Sequence, residues 1–294
     1  MREATWEEIL GRLDSVLDLC RSLRLEGAVA GSRFLKHRER LSSLIDRLNQ
    51  WGQAAARELY DSDRLSHIVA LTEAGEVAAI EPFLRACSPE TIKPKLRHVL
   101  GGPVLPNEED ENSNQARNIL FELNLAAKLS AGGLSPELGD RPDLTCEVEG
   151  KKLLIECKRP LTEQDARTRI RKAWTALQRE ARKEGPGVRG VIALSVTKLI
   201  NPGGAIFSGA NESDARNGLK NLLFQTTDLL SNAWGRPGTR VVGVIFHVIT
   251  PAFLEDSKML VLQQRTHGHG LARTDSLDWR AFRRLINHLE SAWY

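Results

Sequence analysis

RPDLTCEVEGKKLLIECKRP, residues 141–160, is the stretch on which the fold turns. Leu153, Leu154 and Ile155 open an apolar strand that runs on into Glu156, Cys157, Lys158, Arg159 and Pro160. Side chains alternate across a strand. Leu153, Ile155 and Cys157 therefore share one face, and Leu154, Glu156 and Lys158 share the other. Glu149-Gly150-Lys151-Lys152 reads as a turn, because Gly150 accepts positive φ at no steric cost. A tip at Gly150 and Lys151 predicts Val148 opposite Leu153. Asp143 then lies opposite Lys158, on the face that carries Glu156. A slip of two residues keeps that face, whereas a slip of one breaks it.

The flanking segments extend the pattern. Upstream, residues 114–131 read as a helix that stops at Gly132-Gly133. Ile119, Glu122, Leu123, Ala126 and Leu129 share one of its faces. An unpaired carboxylate in an apolar stripe is costly, so Glu122 requires a metal ion, a buried lysine or a water network. Downstream, Thr162 to Asp165 has capping-box spacing and opens a helix over 163–184. Ile170, Trp174, Leu177 and Ala181 form its buried stripe. Arg167, Arg169, Arg171, Lys172, Arg179, Arg182 and Lys183 occupy the other faces. Residues 151–189 hold twelve Lys and Arg against five Asp and Glu, although the whole chain is only +3. Residues 1–150 are the reverse, with eighteen against twenty-five. A basic patch beside the strand suits a polyanion, most simply nucleic acid.

Two carboxylates beside a lysine suit phosphodiester hydrolysis. Hard oxygen donors bind Mg²⁺, which takes few protein ligands and keeps its waters. The lysine orients the attacking water or stabilises charge on the phosphoryl oxygens. The competing reading is a surface ion pair on an exposed sheet face.

With these residues in view, the segment resembles the PD-(D/E)xK motif of the restriction-endonuclease-like nuclease superfamily. Pro142-Asp143 matches the PD element and Glu156-Cys157-Lys158 the ExK element. The resemblance spans roughly residues 113–250 and leaves 1–110 uncovered. It implies a mixed α/β sheet flanked by helices. It implies Asp143, Glu156 and the Cys157 backbone carbonyl as ligands of Mg²⁺ or Mn²⁺, and Lys158 as the catalytic lysine. Glu122 matches an acidic residue that many members carry on the preceding helix. Gln178 matches an active-site glutamine of some branches. The expected activity is a metal-dependent nuclease, endonuclease rather than exonuclease, with DNA as the favoured substrate. Arg159, Arg167, Arg171, Lys172 and Arg179 are the expected contacts to the phosphate backbone. The alternatives are a catalytically silent nucleic-acid-binding module on the same fold and a partner-regulated defence or repair component.

The rest of the chain frames this domain. Residues 1–100 read as helical, from a capping box at Thr5–Glu8 through apolar stripes at Leu13 and Leu17, Leu41 to Leu48, and Ile68 to Leu84. That region is the expected surface for a protein partner. GGPVLPNEEDENSN, residues 101–114, reads as a linker over 101–113, with a nuclease-like domain over 114–294. Beyond the basic helix, 188–197, 239–250 and a helix ending near Trp293 continue the α/β alternation.

Hydrophobic residues make up 41% of the chain, without an apolar run of about 18 residues. A charged N-terminus and four cysteines lacking CxxC or zinc spacing point to the cytoplasm, with free thiols and no membrane partner. His267-Gly268-His269, followed by Gly270, reads as an exposed loop rather than a metal site, and His247 as a core histidine. There is no Walker A loop, no GxSxG and no HExxH.

Overall fold

A computed structural model describes residues 5–110, 113–235, 240–257 and 259–291. The chain divides by its internal contacts into two compact units. One runs to Asn124 and includes Gly203–Ile206. The other comprises Leu125–Pro202 and Phe207–Trp293.

The N-terminal unit is helical: α1 (Trp6–Ser22), α2 (Glu26–Ala30), α3 (Arg33–Ser62), α4 (Arg64–Ala86), α5 (Pro89–Leu100) and the first turns of α6 (Gln115–Ala131). Thr5 caps α1 as its spacing predicts. Its hydroxyl accepts from the Glu8 amide, and its amide donates to the Glu8 carboxylate at 2.9 Å. The hydroxyls of Ser32 and Ser88 cap α3 and α5 by accepting the amides of Leu35 and Thr91. Gly52, at φ +78°, interrupts α3 with a kink. The core joins Leu13 and Leu17 to Phe34, Leu41, Ile80, Leu84, Ile92 and Leu96.

A charged cluster lies inside this unit. Glu73, on α4, accepts from Arg33 Nε at 2.6 Å and from Arg117 Nε. Arg33 also donates to the carbonyls of Val99 and Gly101, and Arg117 donates to that of Val104. Glu109 lies 3.1 Å from the Arg117 guanidinium. The stretch after α5 is thus tied down by buried guanidinia, and Pro106–Glu108 forms a 3-10 turn within it. Burial alone would raise Glu73; Arg117 and Arg33 outweigh it and hold the carboxyl well below the usual carboxylate range.

The C-terminal unit is a seven-stranded mixed sheet with helices on its faces. Its elements are β1 (Glu137–Leu138), β2 (Leu144–Val148), β3 (Lys151–Lys158), α7 (Glu163–Glu184), β4 (Val188–Ser195), α8 (Thr197–Ile200), β5 (Phe207–Gly209), α9 (Glu212–Leu230), β6 (Val241–Leu254), β7 (Met259–Gly270) and α10 (Leu277–Ser291). The order is β1-β2-β3-β4-β6-β5, with β7 on the other edge of β6. β1, β2 and β3 are antiparallel neighbours; β3, β4, β6 and β5 run parallel; β7 returns antiparallel. Two successive crossovers in one direction place α7 and α9 on the same face. There Ile170, Leu177, Leu219 and Leu223 pack on Leu154, Ile192, Val244 and Phe246. No helix of the described residues is long and apolar enough to cross a membrane.

The structure corrects two expectations. The hairpin tip is Glu149–Gly150, both at positive φ (51° and 68°), which is the two-residue turn matched to strand twist. Val148 therefore pairs with Lys151, and Leu144 with Ile155. The register is shifted by two residues from the expected one. Asp143 consequently faces Glu156 rather than Lys158, and the shared face survives.

The second correction concerns His267–Gly270, which is not an exposed loop but the end of β7, paired with Gly243 to Phe246. His267 packs edge-on to Phe224 and His269 lies against Trp234, both on the α9 face. A Cβ at Gly243 or Gly268 would run into Phe282 or Ile286 of α10. These glycines leave a bare patch of sheet on which that helix sits.

Candidate active site

Lys158 closes β3, and the functional groups gather at its ammonium. Lys158 Nζ lies 2.7 Å from Glu156 Oε1, 2.9 Å from the Cys157 carbonyl oxygen and 3.5 Å from Asp143 Oδ2. The same Asp143 Oδ2 accepts the Cys157 amide at 2.6 Å. Local sequence accounts for each placement. The tight turn sets the register, alternation puts Glu156 and Lys158 on one face, and Pro160 ends the strand beyond them.

Three oxygens already converge on one cation. The two carboxylates outnumber the ammonium, so the cluster is one negative charge in excess. Burial alone would lower Lys158; Asp143 and then Glu156 outweigh it, and the ammonium is held above the ordinary lysine value. It stays charged at neutral pH.

This donor set fits a small hard cation. Among the described residues no group of three His, Cys, Asp or Glu side chains could hold a metal. Here the set is two carboxylates and a backbone carbonyl, which suits Mg²⁺ because that ion retains several waters. Lys158 Nζ stands where such a cation would draw on the same oxygens.

The other predicted residues lie as follows. Glu122 belongs to the N-terminal unit. Its carboxylate takes Lys95 Nζ at 2.9 Å and the Asn118 amide at 3.0 Å. Of the three compensations open to it, the structure holds the lysine. Nothing in the sequence around Lys95 marks that pairing, which joins residues on different helices.

Gln178 does not join the Lys158 cluster. α7 starts beside the end of β3 and runs back along the sheet, so Gln178, fifteen residues past Glu163, lies about 22 Å along the helix. Its side chain accepts from the Arg240 amide at 3.3 Å.

The basic residues differ among themselves. Arg159 is buried. Arg167 is tied to Glu163, Asn232 and the Leu229 carbonyl. Arg179 pairs with Glu180 at 3.0 Å. Arg171 and Lys172 are exposed neighbours on α7.

Compared with known proteins, the chain matches no family model, no curated protein and no solved structure. The chemistry of the site therefore rests on its own geometry.

Proposed function

We propose that the C-terminal unit is a metal-dependent nuclease of the PD-(D/E)xK kind, cleaving phosphodiester bonds with DNA as its first substrate. The convergence of Asp143 Oδ2, Glu156 Oε1 and the Cys157 carbonyl on one cationic point carries the reading. Those three oxygens would hold Mg²⁺ or Mn²⁺. When bound, the ion neutralises charge at the scissile phosphate and makes an attacking water more acidic.

The chain's own residues supply the rest. With the carboxylates engaged by a metal, the Lys158 ammonium would be available to the phosphoryl oxygens, where negative charge would grow in the transition state. Asp143 keeps its hydrogen bond to the Cys157 amide, so the ligand carbonyl and carboxylate stay in fixed relation. Arg171 and Lys172, exposed on α7, are the outer contacts to the phosphate backbone. Glu122 enters this reading only as the partner of Lys95.

The test is cleavage of single- and double-stranded DNA and RNA by wild type and Lys158→Ala, with Mg²⁺, Mn²⁺ or chelator. Cleavage that requires both the metal and Lys158 supports the nuclease. Metal binding lost in Asp143→Ala, with no cleavage by wild type, supports the silent module. Neither cleavage nor metal binding in wild type defeats the nuclease reading.

A further inference from the structure

The C-terminal unit contains a second polar feature, at the end of the sheet away from Lys158. A cavity of about 350 Å³ opens where β4 and β6 begin, beside the last turns of α7 and the start of α10. Arg182, Arg189, Arg240 and Arg273 line it, with Asp278 as the lining carboxylate. Four guanidinia against one carboxylate leave a local charge of +3 inside a concave surface.

Two of the arginines are held in place. Arg189 donates to the carbonyls of Pro186 and Val188 at 2.7 and 2.8 Å and to Asp278 at 2.6 Å. Arg240 donates to the carbonyls of Gly185 and Pro186. The turn between α7 and β4 thus offers its carbonyls to fix the guanidinia, and Gln178 takes the amide of Arg240. Arg182 and Arg273 are exposed at the rim. Held positive charge below and exposed guanidinium forks above are suited to several phosphate groups at once, because an exposed guanidinium binds phosphate in bidentate fashion.

The size and lining narrow the ligand. The volume lies at the lower end of small-molecule sites and exceeds what one phosphate ion fills. No aromatic ring lines the cavity among the described residues, so a base would find no stacking surface.

We infer that this cavity binds a linked di- or triphosphate, free or as the phosphate tail of a free nucleotide, with no selection for the base. The inference stands apart from the nuclease reading, since it uses neither Asp143 nor Lys158.

The experiment is titration calorimetry of the full chain with inorganic tripolyphosphate, ATP, GTP and CTP at constant ionic strength. A single-stranded oligonucleotide is titrated with and without a 5′-phosphate. Tripolyphosphate is expected to bind one to one, and the three nucleotides to agree within about threefold. Arg182→Ala/Arg273→Ala is expected to weaken tripolyphosphate at least about tenfold. Lys183→Ala/Lys220→Ala removes the same charge from exposed sites outside the cavity and should change it less than about twofold. Asp278→Asn should tighten it, a direction that loss of structure does not produce. Absence of saturable tripolyphosphate binding, equal weakening by both double variants, or preference for the phosphorylated strand end would each overturn the assignment. Unchanged thermal unfolding of the Arg182/Arg273 variant confirms that the fold is intact.

Discussion

In the N-terminal unit one carboxylate, Glu73, lies between two guanidinia; in the C-terminal unit one ammonium, Lys158, lies between two carboxylates. Both clusters bury charge, and their composition separates their roles. Around Glu73 the cations are arginines, which stay charged at all ordinary pH. Arg33 Nη1 donates to the carbonyls of Val99 and Gly101, Arg117 Nη2 donates to that of Val104, and Glu109 pairs with Arg117. Those contacts tie distant stretches of chain together. Around Lys158 the anions are in excess and a main-chain carbonyl faces the same point. Lys158 keeps about a fifth of its side chain exposed, whereas Glu73 keeps 4%. The first cluster is a buried fastening. The second is negatively biased and partly open to solvent.

The strongest way to break this comparison is to neutralise one member of each. Asp143→Asn keeps an acceptor for the Cys157 amide but removes one negative charge from the cluster. Cleavage should fall by about 10³-fold or more, with stability within about 1 kcal/mol of wild type. A chemical-denaturation midpoint beside a single-turnover assay checks both, and an intact rate would put Asp143 outside the chemistry. Glu73→Gln should do the opposite. It leaves two buried guanidinia short of a counter-charge and should cost about 3–5 kcal/mol of stability, while the rate per folded molecule holds.

A smaller effect sharpens the contrast through pH. The carboxyl of Glu73 is depressed, so the stability it contributes is present above the unfolded value of about 4.3 and lost as pH falls through the folded one. Lys158 is raised, so its contribution is fully present below about 10.4 and lost as pH rises through the folded value. Unfolding profiles of Glu73→Gln should therefore converge on wild type at the acid end, and those of Lys158→Met at the alkaline end. Exchange of the two limbs would invert the assignment. The smallest effect is on binding. Arg171→Glu/Lys172→Glu should reduce the salt slope of duplex-DNA affinity by about one unit per lost contact, and an unchanged slope removes α7 from the surface.

How far the sequence discloses these arrangements depends on the range of the interaction that fixes them. Alternation along LLIECK places Glu156 and Lys158 together without any knowledge of the fold, and the helix bounds 163–184 follow from a cap and a glycine. The turn is harder, because Glu149 as well as Gly150 takes positive φ, and choosing between adjacent tips moves the register by two. β7 escapes a sequence reading because glycine weakens a strand; its alternate glycines make sense only once Phe282 and Ile286 are seen above them. Glu122 announces a need for a partner but cannot name Lys95, 27 residues away. Gln178 shows the converse: it satisfies a motif but sits too far along its helix to join the cluster.

β6 has a further consequence. It supplies the second neighbour of β4 as well as partners for β5 and β7. During synthesis β4 is complete at Ser195, and its mate does not begin until Val241. At ordinary elongation rates that interval lasts roughly 2–9 s. Throughout it, the edge of an almost wholly buried strand, GVIALS, is without its hydrogen-bonding neighbour, and α9 lacks the sheet surface it covers. A chain cut short after α9 keeps that edge permanently bare, which makes the truncation product a template for aggregation.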